Sequence, residues 1–175
     1  MKLALIQMLS SRHWQANQAQ AHDLLEQAAA GAAELAILPE YFCLLGEHDT
    51  DKLALAEPFG NGPIQHFLAE RARTLGLWIV GGTVPLVGDA GHAYNSSLVF
   101  SPSGACVARY DKIHLFLLQG QHEQHDEART LLAGQTPVLF ELPSIDGHRW
   151  QIGLSICYDL RFPELYRHYS ARGAE

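Results

Sequence analysis

The sequence predicts a layered α/β protein whose strands form one mixed sheet or two packed sheets, and three observations carry that prediction. In the first half of the chain, strand-like alternation and helical apolar stripes follow one another as β-α-β and then α-β. A run of strand patterns separated by turn residues fills the middle. Near the end, an apolar strand pattern stops at a cysteine, and a helix opened by a proline begins a few residues later.

Leu3 to Met8 reads as the first strand. Ala16 to Ala30 reads as a helix with Ala21, Leu24, Leu25, Ala28 and Ala29 on its inner side, and Gly31 closes it. Glu34 to Pro39 is the second strand, ending at Glu40. A loop from Tyr41 to Asn61, punctuated by Gly46, Pro58 and Gly60, leads to a helix that Pro63 opens, Ile64, Phe67, Leu68 and Leu75 bury, and Gly76 ends. Leu77 to Leu86 is a strand interrupted by Gly81 and Gly82, which weaken it but permit close backbone approach. Tyr94 to Phe100 runs back after a turn. The turn signal Ser101-Pro102-Ser103-Gly104 makes Ala105 to Leu115 its hairpin partner. His122 to Glu127 reads as a polar loop, Val138 to Leu142 as a strand, and Ile145 to His148 as the turn into the last strand. In that strand Ile152, Leu154 and Ile156 alternate with Gly153 and Ser155, and Cys157 ends it. Pro163 then opens a helix that carries Leu165, Tyr166 and Tyr169 to one side, with Gly173 at its end.

A length of 175 residues fits a single domain, and 47% hydrophobic with 18% charged residues is ordinary globular composition. The net charge of −7 and the lack of a basic run argue against nucleic acid or an anionic membrane as partner. Cys43, Cys106 and Cys157 form no C-x-x-C pair, which fits a reducing compartment, and no targeting segment or membrane span is expected, so a cytoplasmic location is read. His122-Glu123-Gln124-His125 places its histidines three apart instead of four and has no third ligand, so no metal site is expected. Gly81-Gly82 lacks the spacing of a phosphate loop.

Three reactive side chains stand near the ends of different strands. Cys157 occupies a strand-to-helix corner, where backbone N–H groups can stabilise charge on sulfur and on a substrate oxygen. Glu40, if its strand continues past Pro39, shares a face with Ala36 and Leu38. Lys112 shares a face with Cys106, Ala108 and Tyr110, which makes it a partly buried lysine. A thiol, a carboxylate and an ammonium converging in this way suit nucleophilic chemistry at a carbonyl. Glu40 can take the thiol proton, while Lys112 and the backbone N–H of Tyr158 can receive an oxyanion. Arg161, beside the nucleophile, can meet a substrate carboxylate or pair with Glu164 or Asp159. Each residue also has a plainer reading, as a small core thiol or as strand-end charges that reach solvent.

Leu38-Pro39-Glu40-Tyr41-Phe42, Tyr110-Asp111-Lys112-Ile113-His114-Leu115-Phe116 and Ile156-Cys157-Tyr158-Asp159-Leu160-Arg161-Phe162-Pro163-Glu164 resemble, in order, the three signature motifs of the nitrilase superfamily of carbon-nitrogen hydrolases. Tyr94-Asn95-Ser96 and the pair Glu127 and Gly134 are lesser matches, so the resemblance covers essentially the whole chain. It is closest to the branch of small-amide hydrolases near omega-amidase and deaminated glutathione amidase. The resemblance implies an α-β-β-α sandwich, one carbon-nitrogen hydrolase domain over 1–175, no cofactor, a small-molecule amide as substrate, and a role for Glu127 in orienting Lys112 or the amide. A solvated loop acid is the other reading of Glu127.

It also implies that the chain lacks the C-terminal strands of the second sheet, and that the complete protein is a homodimer with Tyr166 and Tyr169 near the contact. The expected reaction is hydrolysis of a small carboxamide to acid and ammonia through a cysteine thioester. The rivals are a truncated member that binds without turnover, and hydrolysis of a nitrile or carbamoyl amide by the same residues.

Overall fold

The computed structural model describes residues 1–120 and 124–175. The first strand, β1 (Leu3–Leu5), leads to helix α1 (Trp14–Ala30), which buries Ala21, Leu25 and Ala28 as the stripe predicts but leaves Leu24 partly exposed. Then come β2 (Leu35–Ile37), one helical turn α2 (Asp51–Ala54), α3 (Pro63–Leu75), β3 (Trp78–Val80) and β4 (Val84–Val87). The turn α2 falls inside the expected loop. Its first residue, Asp51, accepts hydrogen bonds from the backbone N–H of Glu47 at 2.9 Å and His48 at 3.0 Å, a local bond with no hydrophobic periodicity to announce it.

Next are β5 (Ala93–Phe100), β6 (Cys106–Asp111), β7 (Leu117–Gln119), β8 (Gln124–Asp126) and β9 (Leu131–Leu132). The chain closes with β10 (Leu139–Pro143), β11 (Arg149–Gly153) and α4 (Pro163–Ser170).

Among the described residues the main sheet has seven strands, built around β5. The chain first lays β1, β2 and β3 side by side in parallel. One edge of β5 pairs antiparallel with β3 and then β4; the other pairs antiparallel with β6 and parallel with β9. The expected strand from Leu77 to Leu86 is therefore two strands, divided at Gly81-Gly82. Gly82 has φ +53°, and a Cβ there would stand 2.0 Å from the Pro39 carbonyl oxygen. That close approach also ends β2 at Ile37, so strand phase does not aim Glu40, contrary to the sequence expectation.

Two layers of side chains cover the sheet. On one face α1 and α3 bury Ala36, Leu38, Ile79, Leu98 and Phe100 together with Leu25 and Leu68. On the other, the β10–β11 hairpin and the segment after it bring Phe140, Leu142, Leu154 and Ile156 against Leu35, Val80, Val99 and Tyr110. Helix α4 packs outside that hairpin. A Cβ on Gly153 would meet the Tyr169 ring at 2.6 Å, and the Tyr169 hydroxyl donates to the Leu154 carbonyl at 2.5 Å while accepting from the Val138 N–H at 3.2 Å. The order of layers is α-β-β-α, as the resemblance implies. Tyr169 is 4% exposed and committed to this internal contact, which corrects its expected place at a dimer surface.

Three further expectations change. The hairpin strand β6 stops at Asp111 instead of Leu115. A bulge between Val99 and Phe100 pairs Cys106 with Phe100 and Ala108 with Val99, so Cys106 leaves the face that Ala108 and Tyr110 share and is exposed. The expected loop before Glu127 contains β8, paired with β7 through Leu117↔Asp126 and Gln119↔Gln124. Its side chains are exposed or half-buried, so no apolar alternation marks it. Of the histidine-rich stretch considered for metal, His122 and Glu123 lie outside the described residues.

Candidate active site

The site forms beyond the ends of β2, β6 and β11 and beside the start of β5. Lys112 follows β6 immediately. Its N–H donates to the Asn95 carbonyl at 3.0 Å, and its own carbonyl accepts from the Gly134 N–H at 2.8 Å, an approach so close that a Cβ on Gly134 would lie 2.1 Å from the Asp111 oxygen. Asn95 and Lys112 thus continue the phase of Val99 and Tyr110, and the Lys112 side chain is 1% exposed. Lys112 is fully buried where the sequence predicts partial burial.

The Lys112 ammonium sits between two carboxylates, 3.2 Å from Glu40 Oε1 and 3.0 Å from Glu127 Oε1. Burial pulls the lysine pKa down, but the charges of Glu40 and Glu127 outweigh it and hold the pKa above the ordinary lysine value. The two carboxylates differ in what else they accept. Glu127, 4% exposed, receives the Phe116 N–H at 2.7 Å and the Tyr41 hydroxyl at 3.3 Å, so both oxygens are engaged. Its reading as a solvated loop acid is thereby removed. It stands at the start of a 3₁₀ turn, Glu127–Arg129, which Asp126 caps by accepting the Ala128 N–H at 3.0 Å. Glu40 receives Asn95 Nδ2 at 2.8 Å and Lys112 on the same oxygen, Oε1. Its second oxygen accepts no other hydrogen bond among the described residues.

Cys157 opens the 3₁₀ turn Cys157–Arg161 that joins the last strand segment to α4. Its φ of +44° lies in the left-handed region, a conformation that costs a non-glycine residue energy and presents the thiol at the surface of the turn. Tyr41, next to Glu40, shares that strained geometry at φ +57°, with its N–H held by Thr83 Oγ1 at 2.9 Å. Cys157 and Glu40 line one cavity of about 120 Å³, with Ile37, Val80, Gly82 and Ser97 among its walls. Burial first, then the Glu40 charge, raises the Cys157 pKa above the ordinary thiol value, although Lys112 pulls it down. The resting sulfur is a thiol beside a carboxylate that can accept its proton.

Asp159 holds this corner in place. It is 0% exposed and accepts the Tyr110 hydroxyl at 2.6 Å, the Ile156 N–H at 2.9 Å and the His114 N–H at 3.0 Å, with His114 Nδ1 at 2.6 Å. His114 in turn stacks on Phe162, with ring centroids 3.6 Å apart. The second and third motifs are thereby joined around one buried carboxylate. Burial, and then the hydrogen bond to Asp159, raises the Tyr110 pKa, so its hydroxyl remains a neutral donor.

Tyr158 turns its ring edge-on to Phe116 at 5.1 Å and Phe162 at 5.4 Å, forming a small aromatic cluster. Arg161 is exposed. Neither acid considered for it is its partner, because Asp159 is saturated and Glu164 pairs with Arg167 at 2.8 Å. Asn95, Tyr41, Asp159 and His114 carry functions that sequence reasoning did not assign. All stand inside the motifs quoted above, but their roles rest on contacts to residues far along the chain.

The family model described as carbon-nitrogen hydrolase matches residues 2–175. A deaminated glutathione amidase from Synechocystis sp. strain PCC 6803 is 38% identical over 98% of this chain and 62% of its own length. The human omega-amidase NIT2 is 34% identical over 99% of this chain and 60% of its own. Among solved structures, the C. elegans NitFhit protein aligns with TM-score 0.84 and 29% identity over 98% of this chain and 41% of that one. A glutamate-to-glutamine mutant of the amidase from Nesterenkonia sp. AN1, solved with acrylamide added to its active-site cysteine, aligns with TM-score 0.82 and 25% identity over 100% of this chain and 64% of that one. The chain therefore spans roughly three fifths of the curated relatives it matches. No helix among the described residues is long and apolar enough to cross a membrane. With the family model matched from residue 2 to the last residue, and both layers of the sandwich in place, this chain belongs to the carbon-nitrogen hydrolase family.

Proposed function

We propose that the chain carries the catalytic centre of an amidase that cleaves the C–N bond of a small carboxamide to give an acid and ammonia. The observation that carries this reading is Lys112 clamped between Glu40 and Glu127, with Cys157 sharing a cavity with Glu40.

Glu40 takes the thiol proton as sulfur attacks the amide carbon, and the carbonyl electrons move to oxygen. The Lys112 ammonium and the Tyr158 N–H receive that oxyanion. As the tetrahedral centre collapses, the C–N bond breaks, protonated Glu40 delivers its proton to nitrogen, and ammonia leaves a Cys157 thioester. Glu40 then deprotonates water for attack on the thioester, and the acid departs with the thiol restored. Glu127 is a positioning residue, since its oxygens are occupied by Lys112, Phe116 and Tyr41. The Nesterenkonia amidase, a glutamate-to-glutamine mutant of which carries acrylamide added to its active-site cysteine, supports a reactive cysteine in this position of the fold. Three free cysteines, one of them Cys157, support a reducing, cytoplasmic setting. A homodimer with Tyr166 near the contact remains the proposed assembly; Tyr166 is partly exposed and donates to Ser155 Oγ at 3.0 Å.

The test is Cys157→Ala in the full-length protein. Ammonia release from small carboxamides should fall to background while the thermal melt is unchanged, and mass spectrometry of the wild type during turnover should show the acylated Cys157 peptide. Undiminished ammonia release by the variant would refute the mechanism.

A further inference from the structure

Nothing in the local backbone aims Glu40. Its strand β2 has ended at Ile37, and the residue lies in a turn with its side chain 22% exposed. A general base placed in this way has to be held from outside its own segment, because a carboxylate free to rotate offers either oxygen to the sulfur. Among the described residues two groups hold it, and both are on the same oxygen. Lys112 Nζ stands 3.2 Å from Oε1, and Asn95 Nδ2 donates to Oε1 at 2.8 Å. The two differ in kind. The ammonium is a point charge that attracts either oxygen and is shared with Glu127, whereas the amide is neutral, planar and directional.

Asn95 is suited to keeping a carboxylate still. It is 3% exposed on β5, in register with Pro85 of β4. Its own carbonyl accepts the Lys112 N–H at 3.0 Å, and the next residue, Ser96, donates its hydroxyl to Asp111 at 2.5 Å. One short side chain on a locked backbone therefore ties the loop that carries the acid to the segment that carries the lysine.

We propose that Asn95 is a positioning residue that fixes which oxygen of Glu40 handles the proton: with Oε1 taken by the amide and by Lys112, the proton leaves Sγ for Oε2 and passes from that same Oε2 to the departing nitrogen. This role rests on the amidase chemistry proposed for Cys157. The carboxyl group then needs no turn between the two transfers, and the base returns to its starting geometry when the C–N bond has broken.

The experiment replaces Asn95 in the full-length protein by alanine, which deletes the amide but keeps the backbone carbonyl that receives Lys112. Asn95→Leu fills similar space without a donor and serves if Asn95→Ala misfolds. Ammonia release is measured with acetamide, butyramide and succinamate, and kcat and KM are taken on the one turned over fastest. Per folded molecule, kcat should fall about 10- to 100-fold while KM changes by less than about threefold. The pH dependence of Cys157 alkylation by iodoacetamide, followed by peptide mass spectrometry, is a second readout that a purely structural asparagine would not move. The Glu40 charge raises the Cys157 pKa, so a carboxylate no longer held at the site should let the inflection drop in the variant. An unchanged kcat, a loss confined to KM, or an inflection that stays in place overturns the assignment. A wild type that releases ammonia from none of the three amides would count against the amidase reading instead, and the inflection alone then decides whether Asn95 holds Glu40: a drop upholds that contact, and no movement overturns it.

Discussion

On the helix-covered face of the main sheet, Leu25, Ile64, Leu68, Ile79 and Leu98 are 0% exposed and meet apolar neighbours from two helices. On the strand-covered face the apolar layer is smaller, and the same strand phase that buries Val99 and Tyr110 runs on into Asn95 and Lys112. The first face gains stability from continuous apolar burial. The second holds its residues by hydrogen bonds and ion pairs between buried polar groups, which fix geometry more than they add stability. A scaffold of this kind separates the groups that keep the chain folded from those that set up the chemistry.

The strongest challenge to that division is a cavity on the helical face. Leu68 is fully buried against Gly81, and Leu68→Ala should cost about 2–5 kcal/mol of stability, read as a lowered denaturant midpoint, while the folded fraction keeps its ammonia-releasing activity. Loss of activity in the folded fraction would show that the two faces are not separable. On the opposite face, Asp159→Ala strands the Tyr110 hydroxyl and the Ile156 and His114 N–H donors. It should cost about 1–3 kcal/mol and depress turnover far beyond that loss of folded protein, because the Cys157 corner loses its anchor. Retained turnover would demote Asp159 to an ordinary buried polar residue.

The smallest expected effect on folding comes from Glu40→Gln, which acts on the thiol. Burial and the Glu40 charge both raise the Cys157 pKa and Lys112 lowers it, so alkylation of the wild-type Cys157 should increase with pH to an inflection above that of an ordinary thiol. Removing the Glu40 charge takes away one raising influence while burial, Glu127 and Lys112 still act, and the inflection should move down even as amide hydrolysis is lost. Peptide mass spectrometry separates this signal from Cys43, whose buried thiol is pushed up to about 12, and from exposed Cys106. An inflection that does not move would mean that Glu40 does not govern the Cys157 thiol.

Much of the fold was legible because its signals are local. Pro63 and Gly76 bound α3, with Gly76 at φ +65°, and the stripe through Ile64, Phe67 and Leu68 faces the core. Where the reading failed, a contact from elsewhere intervened. The Pro39 carbonyl against Gly82 ended β2 early, and the bulge opposite Phe100 turned Cys106 outward. The β7–β8 hairpin carried no signal because neither of its faces is buried in the core.

The same distinction runs through the site. Sequence alone determined that a thiol, two carboxylates and a lysine stand in three recognisable motifs and one neighbouring loop, since residue type and short-range spacing are written along the chain. The tertiary structure decided what those groups do to one another: that Lys112 bridges Glu40 and Glu127, and that Asp159 ties Tyr110 and His114 to the Cys157 corner. Those contacts join residues up to 72 positions apart in the Glu40–Lys112 pair, and a hydrogen bond between distant side chains leaves no periodicity in the sequence from which to read it.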